Sequence, residues 1–310
     1  MKKWISVLTA FLLTLTLNGC QSSDVIAVID GALELTELIY EQTEDKTEYK
    51  TEHKTNIDSD FVVHYIDVGQ ADAALVCCDD ETMLIDGGNS DDSRLIATYL
   101  KKNDIDYLDY IVCSHAHEDH VGGLSGALSA VEVGAVYAPE EETDTKSYKN
   151  FKKKVKEQGL EIEHPMPGDS FNLGSSVVEI FAPIYEVEEE LNNSSIVLKI
   201  TYGETSFLFT GDAERDEEQD ILDEGYDVSA DVLKIGHHGS NSSTKYKFLR
   251  EVMPEYAIIS VGKGNDYGHP SKEVLSRLKD AGATIYRTDK NGDIIVTSDG
   301  ENIEVIPSKR

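Results

Sequence analysis

Cys113-Ser-His-Ala-His-Glu-Asp-His-Val-Gly-Gly-Leu124 places His115, His117, Asp119 and His120 within six positions, directly after the apolar run Tyr110-Ile-Val. Three imidazoles and a carboxylate at the end of a buried strand make a donor set for a borderline or hard divalent metal. In an extended segment alternate residues point the same way, so His115 and His117 can grip one ion from one side. Asp119 and His120 lie just past them, where the chain turns toward Gly122-Gly123, and are free to reach a second ion. A surface histidine cluster without a role does not account for this spacing behind an apolar strand.

Outward from that stretch, the chain carries Asp67-Val-Gly-Gln-Ala-Asp72 and Leu84-Ile-Asp-Gly-Gly88 before it. Thr210-Gly-Asp-Ala-Glu214, Lys234-Ile-Gly-His-His-Gly-Ser240 and Tyr267-Gly-His-Pro270 follow it. His-x-His-x-Asp-His with a Gly-Gly after it resembles the signature of the metallo-β-lactamase-fold hydrolases. The flanking motifs resemble, in order, the soluble domain of ComEC-type competence proteins, from about Asp60 to the C-terminus. The resemblance implies an α/β fold, a four-layer αββα sandwich of two mixed β-sheets. It also implies two divalent ions, zinc or manganese, about 3.5–4 Å apart and activating a shared water as hydroxide.

Asp212 follows the apolar run Ser206-Phe-Leu-Phe-Thr210 and a glycine, so it is displayed at a strand end where a carboxylate can bridge two ions; in the family this Gly-Asp is the bridging ligand. His237 and His238 follow the strand Val232-Leu-Lys-Ile235. One of them completes the second metal position and the other faces substrate. The sequence leaves the assignment open; His237, first off the strand, is the expected ligand and His238 the expected acid or orienting group. Asp119 is placed to hold or deprotonate the water, and His269, between Gly268 and Pro270, is a candidate contact for phosphate or leaving group. Asp86 should brace an imidazole edge or a loop from behind. His64 and His164 are expected to be structural.

Two departures from the family pattern stand out. Ala71 occupies a position where competence proteins usually have glycine. Many lactamase-fold hydrolases also carry another histidine between the first cluster and the bridging aspartate, where this chain reads Asn192-Asn-Ser-Ser195. The first ion is then left with two imidazoles and the bridge, a loose site that keeps manganese in play beside zinc.

Strands are expected at 61–66, 73–78, 82–85 and 110–113, and in the second half at 177–182, 196–202, 206–210, 232–235, 256–260 and 293–297. Helices are expected at 92–102, 121–130, 146–158, 214–223, 244–252 and 271–281. Such alternation also fits an open doubly wound sheet, so the sandwich rests on the resemblance.

Before the globular part, residues 1–19 have a basic start and a short apolar stretch, as in a secretory leader. Leu17-Asn-Gly-Cys20 resembles a bacterial lipoprotein cleavage box, implying a lipid on Cys20 that anchors the chain to the membrane outside the cytoplasm. Residues 20–59 combine an amphipathic segment (Val25 to Tyr40) with the repeats Thr43-Glu-Asp-Lys, Thr47-Glu-Tyr-Lys and Thr51-Glu-His-Lys, read as a charged linker. Residues 60–310 form the hydrolase domain. A formal charge of −31 disfavours electrostatic capture of nucleic acid. Cys77, Cys78 and Cys113 read as small apolar fillers. The leading function is a hydrolase of phosphodiesters or nucleic acid. The alternatives are a hydrolase of another envelope ester, such as a phosphorylcholine ester or a lactone, and a catalytically idle metal- or partner-binding lipoprotein.

Overall fold

The computed structural model describes residues 59–185 and 190–309. The leader, the lipidation box and nearly all of the charged linker lie outside them. Among the described residues no helix is long and apolar enough to cross a membrane.

Two sheets make up the centre. Eight strands run in the order β15-β14-β1-β2-β3-β4-β5-β6, with β1 (Phe61–Tyr65), β2 (Ala74–Cys78), β3 (Glu81–Ile85), β4 (Tyr107–Val112), β5 (Glu132–Tyr137), β6 (Ile162–Glu163), β14 (Ile294–Ser298) and β15 (Ile303–Pro307). Seven run in the order β13-β12-β11-β10-β9-β8-β7, with β7 (Ser170–Leu173), β8 (Ser176–Ala182), β9 (Val197–Tyr202), β10 (Thr205–Phe209), β11 (Val232–Lys234), β12 (Tyr256–Ile259) and β13 (Thr284–Arg287). Each sheet is mixed: β3, β4 and β5 are parallel neighbours, as are β10 to β13, and the remaining pairings are antiparallel except β5 with β6.

Residue alternation separates the layers. Phe61, Val63 and Tyr65 pack against Ile200, Phe207 and Phe209 between the sheets, whereas Leu208 and Leu233 face the helices outside. Helices α1 (Ser93–Lys102), α2 (Glu118–Val121), α3 (Leu124–Ala130) and α4 (Lys146–Glu157) are in the first half; α5 (Arg215–Glu224), α6 (Tyr246–Val252), α7 (Lys272–Asp280) and α8 (Thr288–Asn291) are in the second. Ile96, Leu100, Leu124, Phe151 and Val155 from α1, α3 and α4 cover the outer face of the first sheet. Ile221, Phe248, Leu249, Val274 and Leu278 from α5, α6 and α7 cover that of the second. Each fully buried Leu, Ile or Phe contributes roughly 1.5–3 kcal/mol. This helix–sheet–sheet–helix layering is the expected sandwich. Strands β5, β6, β7, β13 and β15 come in addition to the expected ones.

One backbone approach fixes the 114–123 loop. Gly123 lies so close to the loop after β3 that a Cβ on it would sit 1.9 Å from the Gly87 carbonyl oxygen, and one on Gly122 would sit 2.3 Å from the Ser90 nitrogen. Gly87 N–H donates to the His120 carbonyl (2.8 Å) and Gly123 N–H to that of Gly88 (3.0 Å), so the histidine loop and the Asp86 loop are stitched backbone to backbone. Only glycine permits this.

Candidate metal centre

The parallel strands of both sheets end at the same edge, and the loops leaving β3, β4, β10, β11 and β12 deliver Asp86, the 114–120 segment, Asp212, the His237–His238 pair and Ser260 in turn. Carboxyl ends of parallel strands are where α/β folds place their ligands.

From the first half, His115 Nε2 lies 2.9 Å from His117 Nδ1. His115 is fully buried and its Nδ1 faces the hydroxyls of Ser114 (3.1 Å) and Ser195 (3.4 Å). His120, also fully buried, presents Nδ1 to the Asp86 carboxylate at 2.9 Å, and Asp86 further accepts from the N–H and hydroxyl of Ser114, both at 2.7 Å. Both ring nitrogens of His120 face carboxylates; with the nearer one, Asp86, holding the proton of a neutral imidazole on Nδ1, the lone pair would be on Nε2. That Nε2 points at Asp212 Oδ1, 3.3 Å away.

From the second half, His238 directs Nε2 to Asp119 Oδ2 (3.2 Å) and Asp212 Oδ2 (3.8 Å). Its Nδ1 lies 3.1 Å from both the Ser260 carbonyl and Asp72 Oδ1, so it too carries its proton at the back and its lone pair at the centre. Asp72 is held in turn by the buried ammonium of Lys234 at 2.5 Å.

Divalent ions fit this set. His120 Nε2 and Asp212 Oδ1 are buried and find no hydrogen-bond partner among the described residues, although such atoms are nearly always paired. Ligating atoms of His115, His120 and Asp212, and of Asp119, His120 and His238, each fall within 4.8 Å of one another. Electrostatics point the same way. Burial opposes charge on His120, yet Asp212, Asp86 and Asp119 hold its pKa well above the ordinary imidazole value. Burial likewise opposes charge on His238, and Asp212 with Asp72 pushes it up to about 10. Burial would raise Asp212 and Asp119, but His120 and His238 keep both below the usual carboxylate range. His115 instead is lowered, by burial and then by the charge on His120. The protons on His120 and His238 stand where cations would: the pocket demands positive charge, and a divalent ion at each end meets that demand with neutral imidazole ligands.

Residues 66–263 match the model of the Metallo-beta-lactamase superfamily. The chain belongs to this superfamily. Among curated relatives, "ComE operon protein 3" of Bacillus subtilis is 31% identical over 256 residues, 77% of this chain and 33% of that protein. "Competence protein ComA" of Neisseria gonorrhoeae is 30% identical over 228 residues, 73% of this chain and 30% of that protein. The chain therefore spans about a third of the length of these relatives. The solved structure of Tm1679, titled a metal-dependent hydrolase of the beta-lactamase superfamily, superposes with a TM-score of 0.50 at 15% identity, over 73% of this chain and 95% of that one, and shows the shared fold.

As a metallo-β-lactamase-superfamily centre, the site brings His115, His117, Asp119, His120 and Asp212 together with His238. Of the pair left open by the sequence, His238 is the one whose ligating atom groups with those of Asp119 and His120. The reason is local. The strand ends at Lys234, and His237 (φ 49°) and His238 (φ 52°) both adopt the left-handed conformation, so the chain doubles back and the second imidazole, rather than the first, reaches inward. His237 stays partly exposed, with Nδ1 on Glu214 Oε1 (3.0 Å) and Ser242 Oγ (3.2 Å) and Nε2 3.7 Å from Asp212 Oδ2. His269 stands behind it at the rim, its ring centroid 5.5 Å from that of His237 and 5.8 Å from Tyr267. Burial, then the charges of His237 and His238, lowers its pKa.

In place of a further imidazole, the 192–195 segment braces the bridging loop. Ser195 Oγ accepts from Asp212 N–H (3.0 Å), Asn193 Oδ1 from Glu214 N–H (2.9 Å), and Asn192 donates to Glu214 (3.1 Å). Ser114, Ser195, Glu214, Lys234 and Ser260 are the site residues that sequence reasoning passed over. Outside the site, His64 bonds Tyr99 and His164 bonds the Ala138 carbonyl, while the buried Cys113 thiol donates to the His115 carbonyl.

Proposed function

We propose that this chain is a hydrolase that uses two divalent ions, zinc or manganese, to cleave phosphodiesters, with nucleic acid as the substrate suggested by its competence-named relatives. The observation that carries the reading is the buried, unpartnered pair His120 Nε2 and Asp212 Oδ1, flanked by His115 with His117 on one side and by Asp119 with His238 on the other. His115, His117 and Asp212 would hold one ion, and Asp119, His120, Asp212 and His238 the other. When bound, such a pair supplies Lewis acidity and a water of near-neutral pKa.

The protein's own groups do the rest. Asp119, partly exposed and kept ionised, is placed to orient the attacking water and take its proton. His237, fixed by Glu214 with Nε2 toward the centre, replaces His238 as the group that hands a proton to the departing oxygen. His269 lines the rim where the leaving group exits. We further propose that the leader and Cys20 lipid place the domain outside the cytoplasm on the cell membrane. A second reading, hydrolysis of a smaller envelope ester, gains from the charge of −31, which repels a long polyanion.

The test is to strip and reload the purified protein, count the bound ions, and assay a chromogenic phosphodiester and single- and double-stranded DNA with zinc, manganese or neither. Metal-dependent turnover that falls about 100- to 1,000-fold in Asp119→Ala is expected. Equal rates for parent and variant on every substrate would refute the hydrolase reading.

A further inference from the structure

Asp72 and Lys234 are not ligands in the reading above, yet both are almost fully buried directly behind it, at 4% exposure each. Alternation along β11 explains why Lys234 is there: Val232 faces the inter-sheet core and Leu233 the outer helices, so Lys234 returns to the inter-sheet side. Its ammonium meets Asp72 Oδ2 and the Ile235 carbonyl (3.0 Å).

Asp72 is tied to both halves of the centre. Its backbone N–H donates to the Asp119 carbonyl at 3.0 Å, and its own carbonyl accepts from Gly88 N–H at 2.7 Å. Its Oδ1 stands 3.1 Å from His238 Nδ1, beside the Ser260 carbonyl that takes that nitrogen's hydrogen bond, and has no hydrogen-bond partner of its own among the described residues. His238 needs such a brace, because its left-handed backbone is disfavoured for a side-chain-bearing residue and persists only where surroundings fix it.

We infer that Asp72 and Lys234 form a positioning pair, which fixes the orientation of His238 and thereby sets how tightly the Asp119–His120–His238 end holds a divalent ion. The inference rests on the two-ion reading of the centre. Lys234 alone would weaken cation binding by repulsion; paired, it holds Asp72 so that the carboxylate can polarise the imidazole from behind. Removing such an outer partner of a ligating histidine typically costs 10–100-fold in metal affinity.

The decisive measurement is zinc binding to the stripped protein, by competition with a chromogenic chelator, together with the thermal midpoint of the metal-free form. Three proteins are compared: parent, Asp72→Asn, and the double variant Asp72→Asn with Lys234→Met, which removes both charges and keeps the volumes close. Asp72→Asn should bind one of its two equivalents about 10–100-fold more weakly and leave the other unchanged. The double variant should recover the thermal midpoint and keep the affinity deficit, since a neutral pair can pack as well as a buried ion pair without bracing His238. Recovery of affinity together with stability, unchanged affinity in Asp72→Asn, or failure of both variants to fold would each overturn the positioning role in favour of a purely structural pair. A parent protein that binds no ion would instead bring down the two-ion reading itself.

Discussion

Behind His115, which pairs with His117, the fold sets hydroxyls, from Ser114 and Ser195; behind His120 and His238 it sets carboxylates, from Asp86 and Asp72. The two ends of one centre therefore differ in how strongly their imidazoles are polarised and held. A carboxylate behind an imidazole makes the opposite nitrogen a better donor and locks the ring, whereas a hydroxyl can rotate and give or accept. The Asn192–Ser195 segment enlarges the difference, because Asn193 and Ser195 brace the Asp212–Glu214 loop and the segment supplies no imidazole to the first end. On the two-ion reading proposed above, the carboxylate-backed end would hold its ion firmly and the hydroxyl-backed end loosely.

The largest expected effect comes from the residue both ends share. Asp212 lies within 3.3 Å of His120 and 3.8 Å of His238, and its ligating atoms group with His115 as well. Asp212→Ala should abolish both binding equivalents and lower turnover by about 1,000-fold, the order lost with a group that stabilises developing charge. Metal analysis after dialysis measures it directly, and retention of two ions would show that the ends do not depend on a common bridge.

A smaller and more selective effect is expected from His117→Ala. In the parent, metal titration should resolve two steps separated by about 10–100-fold. The variant should lose the weaker step and keep the tighter one. Loss of the tighter step, or a parent titration with two equal affinities, would break the contrast between the ends.

The half of the centre that the 114–120 loop supplies was legible in the sequence because its parts are local. His115, His117, Asp119 and His120 sit on one loop, and the apolar run before them announces the strand that presents it. The four-layer order was legible only through the resemblance, and β5, β6, β7, β13 and β15 escaped notice for physical reasons. Gly134 interrupts β5 where a Cβ would meet the Asp109 carbonyl at 2.7 Å, and the others are short strands with partly exposed faces. The rest of the centre was harder. Lys234 and Asp72 are 162 residues apart, and nothing in one chain announces such a pairing. The assignment of His237 and His238 stayed open in the sequence because it turns on the backbone reversal they share, for which Gly236 and Gly239 on either side are the kind of signal that marks a tight turn.

The same asymmetry extends to what anchors the two loops, and here the expected effect is smallest. Glycine packing and backbone hydrogen bonds, which do not titrate, hold the 114–123 loop. The loop after His238 is held by a buried carboxylate: Glu218 on α5 accepts the N–H groups of Thr244 and Lys245, while Arg277 on α7 donates to the carbonyls of Ser243 and Thr244. Burial pushes Glu218 up to about 7 from an ordinary 4.5, against the opposing pull of those N–H groups and of Lys245 and Arg277. The folded state thus favours the protonated acid. Below about pH 4.5 both folded and unfolded chains carry the proton and there is no penalty. Between 4.5 and about 7 the unfolded chain releases it first, so stability falls as pH rises, and above 7 the loss is complete. The total is on the order of 3 kcal/mol, or about 6–12 °C in thermal midpoint for a domain of this size. Glu218→Gln keeps an acceptor for the loop and removes the titration, so its midpoint should fall less than the parent's between pH 5 and 8. Glu217, also pushed up to about 7 by burial, contributes to the slope that remains. Parallel midpoint curves for parent and variant would mean that the second loop, like the first, is held by contacts indifferent to pH.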